Sequence, residues 1–245
     1  MKNGMGVGQF DQRGIRELDH AGKEIASIPT ESMPQSVRPT GRGSLLVTFP
    51  AENQVVEIDR STRNRIRRIG GLTHPFDAVP LRNGNVLAAD YGSNRFVEMD
   101  AEGKIVWEGP HPNPTSAEEL ENGHLLLGSY SQGLIEIDAR DEKAAPLWKT
   151  QVESVRAWRF QRLPSGRTLM VDNQSEQVLE VGRSGKNVVW KKSGLAGSCG
   201  AYRLDSGNTL ILERDTRRIV EVDPLGREVR EIKGLNYPAG MTVIP

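Results

Sequence analysis

One phrase returns along this chain at intervals of about forty residues, and a repeat of that length constrains the fold more than any single motif does. It consists of a turn containing glycine, an apolar run, a polar gap, and an apolar-Glu-apolar-Asp segment. It reads Asn83-Gly-Asn-Val-Leu-Ala-Ala-Asp90 followed by Phe96-Val-Glu-Met-Asp100. It returns as Ser165-Gly-Arg-Thr-Leu-Met-Val-Asp172 with Val178-Leu-Glu-Val181, and as Ser206-Gly-Asn-Thr-Leu-Ile-Leu-Glu213 with Ile219-Val-Glu-Val-Asp223. Weaker copies lie at Gly43-Ser-Leu-Leu-Val47 and at Asn122-Gly-His-Leu-Leu-Leu127. The turn glycines Gly43, Gly84, Gly123, Gly166 and Gly207 are spaced by 41, 39, 43 and 41 residues, and Gly4 lies 39 before Gly43. Units this short cannot bury an apolar face alone, so they must stack on copies of themselves.

Each unit reads as four short strands. A small or apolar strand A, such as Asp77-Ala-Val-Pro-Leu81, precedes an Asn-Gly or Ser-Gly turn, a strong hairpin signal. Strand B follows the turn, strand C carries the Glu, and strand D often carries Trp, at Trp107, Trp148 and Trp190. No helical period appears. Four strands per unit predict an all-β, six-bladed β-propeller of four antiparallel strands per blade. The C-terminal Tyr237-Pro-Ala-Gly-Met-Thr-Val-Ile244 matches strand A alone, while the N-terminus begins at a turn and supplies strands B to D. The ring is therefore expected to close through a split blade of one C-terminal and three N-terminal strands, which removes free sheet edges. The whole of 1–245 reads as one propeller domain, with blades near 33–72, 73–112, 113–154, 155–195, 196–235, and 236–245 joined to 1–32.

Acidic and basic residues balance at 32 each, so no net field favours nucleic acid or an anionic membrane surface. The densest basic run, Arg60 to Arg68, has no interleaved aromatic residues for base stacking. The single cysteine, Cys199, excludes an internal disulfide framework and a multi-thiolate metal site, and it reads as a buried small hydrophobe. No apolar run has membrane-spanning length, and the first residues lack the apolar core of a secretory signal. The expectation is a cytoplasmic protein if the chain is complete, and a secreted or periplasmic one if it is a processed or excised segment.

Repetition sorts the remaining residues. The strand C glutamates, Glu17, Glu57, Glu98, Glu136, Glu180 and Glu221, recur six times and are expected to make inter-blade hydrogen bonds or ion pairs rather than an ion ring. Function is expected where the units differ. At the start of strand A, lining the channel mouth, stand Ser36, Asp77, Ser116, Arg159, Gly200 and Gly240. At the end of strand B stand Phe10, Phe49, Asp90, Ser129, Asp172 and Glu213. Both positions belong to the face opposite the glycine turns, together with loop residues Tyr91, Tyr130, Asn173, Arg214, Arg156, Trp158, His74, His111 and Tyr237. The candidate ligand-binding set is Ser36, Asp77, Asp90, Tyr91, Ser116, Arg159, Asp172, Asn173, Glu213 and Arg214. The carboxylates Asp77, Asp90, Asp172 and Glu213 are the candidate ligands for a hard cation, and also fit the role of ordinary strand-end and turn caps. His20 and His124 fall on the opposite face. No nucleophile elbow or phosphate-binding glycine loop is present.

The phrase Arg162-Leu-Pro-Ser-Gly-Arg-Thr-Leu-Met-Val-Asp172, with Val178-Leu-Glu-Val181 and Val188-Val-Trp190, resembles the repeats of NHL, PQQ-like and arylsulfotransferase-like propellers over essentially the whole chain. The resemblance implies a propeller and leaves the activity open, because such repeats serve enzymes, sensors and scaffolds. Arylsulfotransferases of this shape use a central histidine that commonly precedes the strand A aspartate, where this chain has Pro75 and Phe76. More distantly, the chain is similar to six-bladed lactonases of the regucalcin and paraoxonase type, which hold a divalent cation with Glu, Asn and Asp. The expected function is a non-catalytic scaffold that binds a small molecule, peptide or protein partner across the asymmetric face, without nucleic acid or membrane. The alternative is a metal-dependent hydrolase or lactonase. The scaffold needs no cofactor; the alternative needs a divalent cation such as calcium near the channel mouth.

Overall fold

The structure, a computed structural model, describes residues 6–11, 14–19, 21–141, 145–152 and 155–244. The expected first turn at Gly4 and the loop residue His20 lie outside the described residues, as does the side chain of Phe10. The strands run β1 (Gly6–Asp11), β2 (Gly14–Leu18) and β3 (Glu24–Pro29), then β4 (Ser36–Pro39), β5 (Ser44–Phe49), β6 (Gln54–Asp59) and β7 (Arg65–Ile69). Next come β8 (Pro75–Pro80), β9 (Val86–Asp90), β10 (Arg95–Met99) and β11 (Ile105–Pro110), then β12 (Pro114–Glu119), β13 (Leu125–Ser129), β14 (Gly133–Ile137) and β15 (Pro146–Lys149). The chain finishes with β16 (Arg159–Arg162), β17 (Thr168–Asp172), β18 (Gln177–Val181) and β19 (Val188–Ser193), β20 (Ser198–Arg203), β21 (Thr209–Glu213), β22 (Arg218–Val222) and β23 (Glu228–Ile232), and β24 (Gly240–Ile244).

These strands pair into six antiparallel four-stranded sheets, five of them from consecutive strands and one in the order β24-β1-β2-β3. In the last, Gly6 faces Ile244 and Phe10 faces Gly240, so the two ends of the chain share one sheet. The first strands of successive sheets touch in turn: β4 and β8, β8 and β12, β12 and β16, β16 and β20, β20 and β24, and β24 and β4. That circuit is closed, with the A strands innermost. The molecule is an all-β propeller.

The core explains why strand B is apolar without interruption. Successive residues of a strand face opposite sides, and each B strand lies between two neighbouring sheets. Leu125 and Leu127 of β13 pack with Phe76, Leu87 and Phe96 of the preceding sheet, whereas Leu126 packs with Phe160, Met170 and Leu179 of the following one. Leu169 and Val171 of β17 join Ile211 and Val220, while Met170 turns the other way. Every inter-sheet interface has such a cluster, down to Ile15 and Ile28 against Val47 and Val56 at the shared sheet. Fully burying one such side chain contributes about 1.5–3 kcal/mol, so the interfaces, not the individual sheets, hold the ring together. The D strands form the outer rim and leave Ile105, Val106, Val188 and Val189 exposed.

Among the strand C glutamates the expected inter-blade role holds at three positions. Glu17 is gripped by Arg60, Glu136 by Arg162, and Glu180 by Arg203, each arginine coming from the following sheet. Arg162 and Arg203 also lie over the rings of Trp148 and Trp190 at 4.6 and 5.2 Å, so each arginine joins the strand C Glu and strand D Trp of the preceding sheet. Glu57, Glu98 and Glu221 instead accept hydrogen bonds inside their own sheets, from Ser44, from Asn83 and Asn85, and from Asn208. Among the described residues no helix is long and apolar enough to cross a membrane.

Candidate functional site

The two sequence positions expected to carry the site part company in the structure. The residues at the start of strand A converge. Asp77 of β8 is fully buried and accepts hydrogen bonds from Ser36 Oγ, from Ser116 Oγ at 2.7 Å, and from Arg38 Nε and Nη2 at 3.2 and 2.6 Å. Arg38 Nη2 also reaches Ser116 Oγ at 3.0 Å. Arg159 Nη1 stands 4.0 Å from the same carboxylate, and its two terminal nitrogens donate to the carbonyls of Thr115 and Gln35. Its guanidinium lies 5.3 Å from the centre of the Phe76 ring. Four A strands, β4, β8, β12 and β16, are thus knotted across the axis through one carboxylate.

The electrostatics follow from that geometry. Burial alone would push the Asp77 carboxyl up, but Arg38 and Arg159, with the hydrogen bonds from Arg38 and Ser36, hold it well below the usual carboxylate range. Burial opposes the charge on Arg38 as well, and Asp77 more than restores it. For Arg159 burial wins and its guanidinium sits below the ordinary arginine value. A carboxylate already shared by two guanidinium groups has little left for a metal ion.

The residues at the end of strand B do not join this cluster. Asp90 accepts from the Thr73 backbone at 2.6 Å and pairs with Arg95 at 3.0 Å. Asp172 accepts from the Ser175 backbone and the Gln177 amide, at 3.2 and 3.1 Å. Glu213 accepts from the Ala196 backbone and from Thr216, and pairs with Arg218. Ser129 plays the same part, donating to the Pro112 carbonyl and accepting from the Ser131 and Gln132 backbones. The position is a clamp on the B–C loop, reaching in three cases to the loop that enters strand A. At these four sites it varies in residue type without varying in role, whereas Phe49 at the same position joins the core. Among the described residues no three His, Cys, Asp or Glu side chains converge as a metal site would require.

The remaining candidates are held locally. Tyr91 stacks 5.6 Å from Phe76 and 6.2 Å from His74, Asn173 donates to the Ser198 carbonyl at 2.7 Å, and Arg214 pairs with Asp215 at 3.2 Å. Trp158 sits edge-on to Phe76 and Tyr130, and Arg156 lies over Tyr130. His74 and Tyr237 occupy a left-handed backbone position just before strand A, with φ of 52° and 48°, that Asn113 and Gly197 fill in other units. His111 is buried against Phe96, and burial lowers its pKa. Phe49 is wholly buried and contributes nothing to an exposed aromatic surface. Cys199 is buried as expected, its thiol pushed up to about 12 by burial, which leaves it without thiolate character.

A cavity of about 260 Å³ adjoins the Asp77 knot. Its wall includes Ser36, Arg38 and Arg159 from the knot and the glycine at position 200. One step further along the A strands it includes Glu118, Gln161, Tyr202 and Thr242. Glu118 and Arg162 are shared with a second cavity, of about 370 Å³, between the glycine turns that follow β12 and β16. The open part of the channel therefore lies toward the glycine-turn face, while a separate cavity of about 330 Å³ on the loop face is lined by the expected loop residues Tyr130 and Arg156. The physical reason is that the first layer is filled by Asp77 and the two arginines reaching to it. The residues one step further in were not singled out from the sequence. Their signal was present: Arg38, Val79, Glu118, Gln161, Tyr202 and Thr242 stand at one register position of the repeat and share no chemistry.

Arg38 Nη1, Glu118 Oε1, Gln161 Nε2, Tyr202 Oη and Thr242 Oγ1 make no hydrogen bond among the described residues and are open to the cavity, whereas Arg162 Nε is buried without a partner. The Gln161 amide is fixed by its other end, because Arg203 N donates to Gln161 Oε1 at 2.8 Å. Glu118 Oε2 accepts from Arg162 N at 2.8 Å. Burial raises the Glu118 pKa, against opposition from the Arg162 backbone bond and from Arg38 and Arg162. Burial, with Asp205 and Glu118, raises Tyr202.

No protein-family model and no curated protein sequence matches the chain. Solved structures do resemble it. A protein of unknown function from Bacteroides caccae is 14% identical, with a TM-score of 0.78 over 99% of both chains. A chain of a nidogen/laminin complex is 11% identical, with a TM-score of 0.81 over 98% of both. Virginiamycin B lyase from Staphylococcus aureus is 13% identical, with a TM-score of 0.68 over 95% of this chain and 86% of that one. At these identities the likeness shows the β-propeller fold alone.

Proposed function

We propose that this chain, a single six-bladed propeller over 1–245, is a binding module that holds a small polar ligand in its central channel. The observation that carries the reading is the channel cavity and its set of polar side-chain atoms without internal partners. Sites for small molecules combine an enclosed volume with a few convergent polar groups. The Asp77 knot supports the same reading, because it fixes one wall of the cavity rigidly on four strands. No comparable observation favours hydrolysis, since the carboxylates a metal would need are committed to their own loops.

The test is a thermal-shift screen of the purified protein against small organic acids, amino acids, sugars and polyols, followed by calorimetric titration of any hit. A hit should raise Tm with ligand concentration and bind at one site per chain. Thr242→Tyr, which adds a ring at the cavity wall, should abolish the hit while leaving the unfolding transition cooperative. A hit unaffected by that change would place binding elsewhere on the molecule and overturn the channel reading.

A further inference from the structure

The charge balance of the channel specifies more than polarity. Arg38, which is half-buried, and the buried Arg159 bring two guanidinium groups to the single carboxylate of Asp77, so the cluster carries one net positive charge. A buried charge without a counter-charge is costly. The third arginine at the wall, Arg162, is engaged elsewhere: it donates to the Gly166 carbonyl and Glu136 and lies over Trp148. Only Glu118 among the cavity residues could balance the cluster from within, and burial favours its neutral form.

The unpartnered atoms have the same bias. Arg38 Nη1, Gln161 Nε2, Tyr202 Oη and Thr242 Oγ1 can all donate, and Glu118 Oε1 is the one pure acceptor when ionised. A donor-rich, positively charged cavity suits an acceptor-rich anion. The volume of about 260 Å³ lies below the range of roughly 300–1,000 Å³ typical of drug-sized ligands, so the ligand is small.

We infer that the channel cavity binds a small organic carboxylate, with its carboxylate at Arg38 and its remaining polar groups against Gln161, Tyr202 and Thr242; this rests on the channel reading above. The Nε and Nη2 edge of Arg38 is occupied by Asp77, which leaves Nη1 to meet the ligand. Glu118 faces Arg38 from β4, Arg162 from β16 and Tyr202 from β20. When ionised it repels the bound anion. Carboxylate binding should therefore strengthen as pH falls and Glu118 takes up its proton.

The experiment is calorimetric titration at constant ionic strength with sodium acetate, succinate and citrate, with sodium phosphate and erythritol as the contrasting probes. At least one carboxylate should bind, phosphate and erythritol should not, and Arg38→Lys should weaken binding by about tenfold or more, the loss expected for a charge-assisted hydrogen bond. Because Arg38→Lys also disturbs the Asp77 knot, Glu118→Gln is the second variant. Its amide can still accept from Arg162 N, and it should tighten binding at pH values where wild-type Glu118 is ionised and flatten the pH dependence. Phosphate binding without carboxylate binding overturns the ligand class, as does carboxylate binding indifferent to both variants. Erythritol binding alone overturns the carboxylate and leaves the channel reading standing. A channel that binds nothing in this panel or in the wider screen overturns both.

Discussion

At the scale of single residues, Asp77 is the most consequential side chain in the molecule. It receives Ser36, Arg38 and Ser116 and stands beside Arg159, which together come from three other A strands. Asp77→Asn keeps the size but leaves two guanidinium groups facing a neutral amide. The expected cost is about 3–5 kcal/mol, the range for breaking a buried ion pair on one side, read as a lower urea midpoint with an unchanged slope. Asp77 was legible in the sequence as a residue that breaks the repeat, and so were Ser36, Ser116 and Arg159. Arg38 was not. It lies one step inward of Ser36, 39 residues from Asp77 and 78 from Ser116, and nothing local says that its long side chain crosses the axis. Asp90, Asp172 and Glu213 look equally distinctive in sequence and turned out to be one loop clamp in three chemical versions. Residue type alone does not separate a site from a cap, since both use a carboxylate that accepts hydrogen bonds.

At the scale of the elements, the loops repeat a backbone conformation even where the residues differ. The position just before strand C is left-handed at Asn53, Asn94, Glu176 and Arg217, with φ between 50° and 54°. Asparagine tolerates this conformation, whereas other non-glycine residues are strained by roughly 1–2 kcal/mol there. Glu176 is exposed, so Glu176→Gly should relieve the strain with no packing lost. After the extra entropy that glycine loses on folding, about 0.5–1 kcal/mol, the net gain should be of similar size, seen as a small rise in Tm. The same change at Arg217 is a poorer choice, because its guanidinium lies 4.4 Å over the Tyr237 ring. The turn glycines were legible at this scale because a hairpin signal is local. The left-handed Glu176 was not, since the sequence there gives no turn residue.

At the scale of the whole molecule, stability should depend on pH in two opposed ways. Asp77 has a folded pKa below its unfolded value of about 3.9, so its contribution is complete above that pH and is lost as pH falls toward the native value. Glu118 has a raised native pKa, so the native state holds its proton more tightly and the associated penalty is relieved as pH falls through the native value. Urea midpoints for wild type and Asp77→Asn, measured from pH 7 to pH 2.5, should be well apart at neutral pH and approach one another below about pH 4. Parallel curves across that range would show that Asp77 carries little of the acid sensitivity. The inter-sheet arginine latches, such as Arg203 with Glu180 and Trp190, belong to this scale too, since each acts only when two sheets are already adjacent.

The sequence by itself determined the unit, the number of copies and the way the chain closes on itself. Those properties are written in local, periodic signals: turn glycines, alternating strands, and a lone strand A at the C-terminus that matches the missing strand at the N-terminus. The six four-stranded sheets, with β24 beside β1, follow that pattern. Tertiary structure alone decided which of the irregular positions meet, and on which side of the ring the channel stays open. A cavity is set by what side chains leave unfilled, and here that depended on two arginines from two different strands, neither of them a sequence neighbour, reaching for one carboxylate. No period in the sequence encodes that, because the residues that make the channel are the ones that do not repeat.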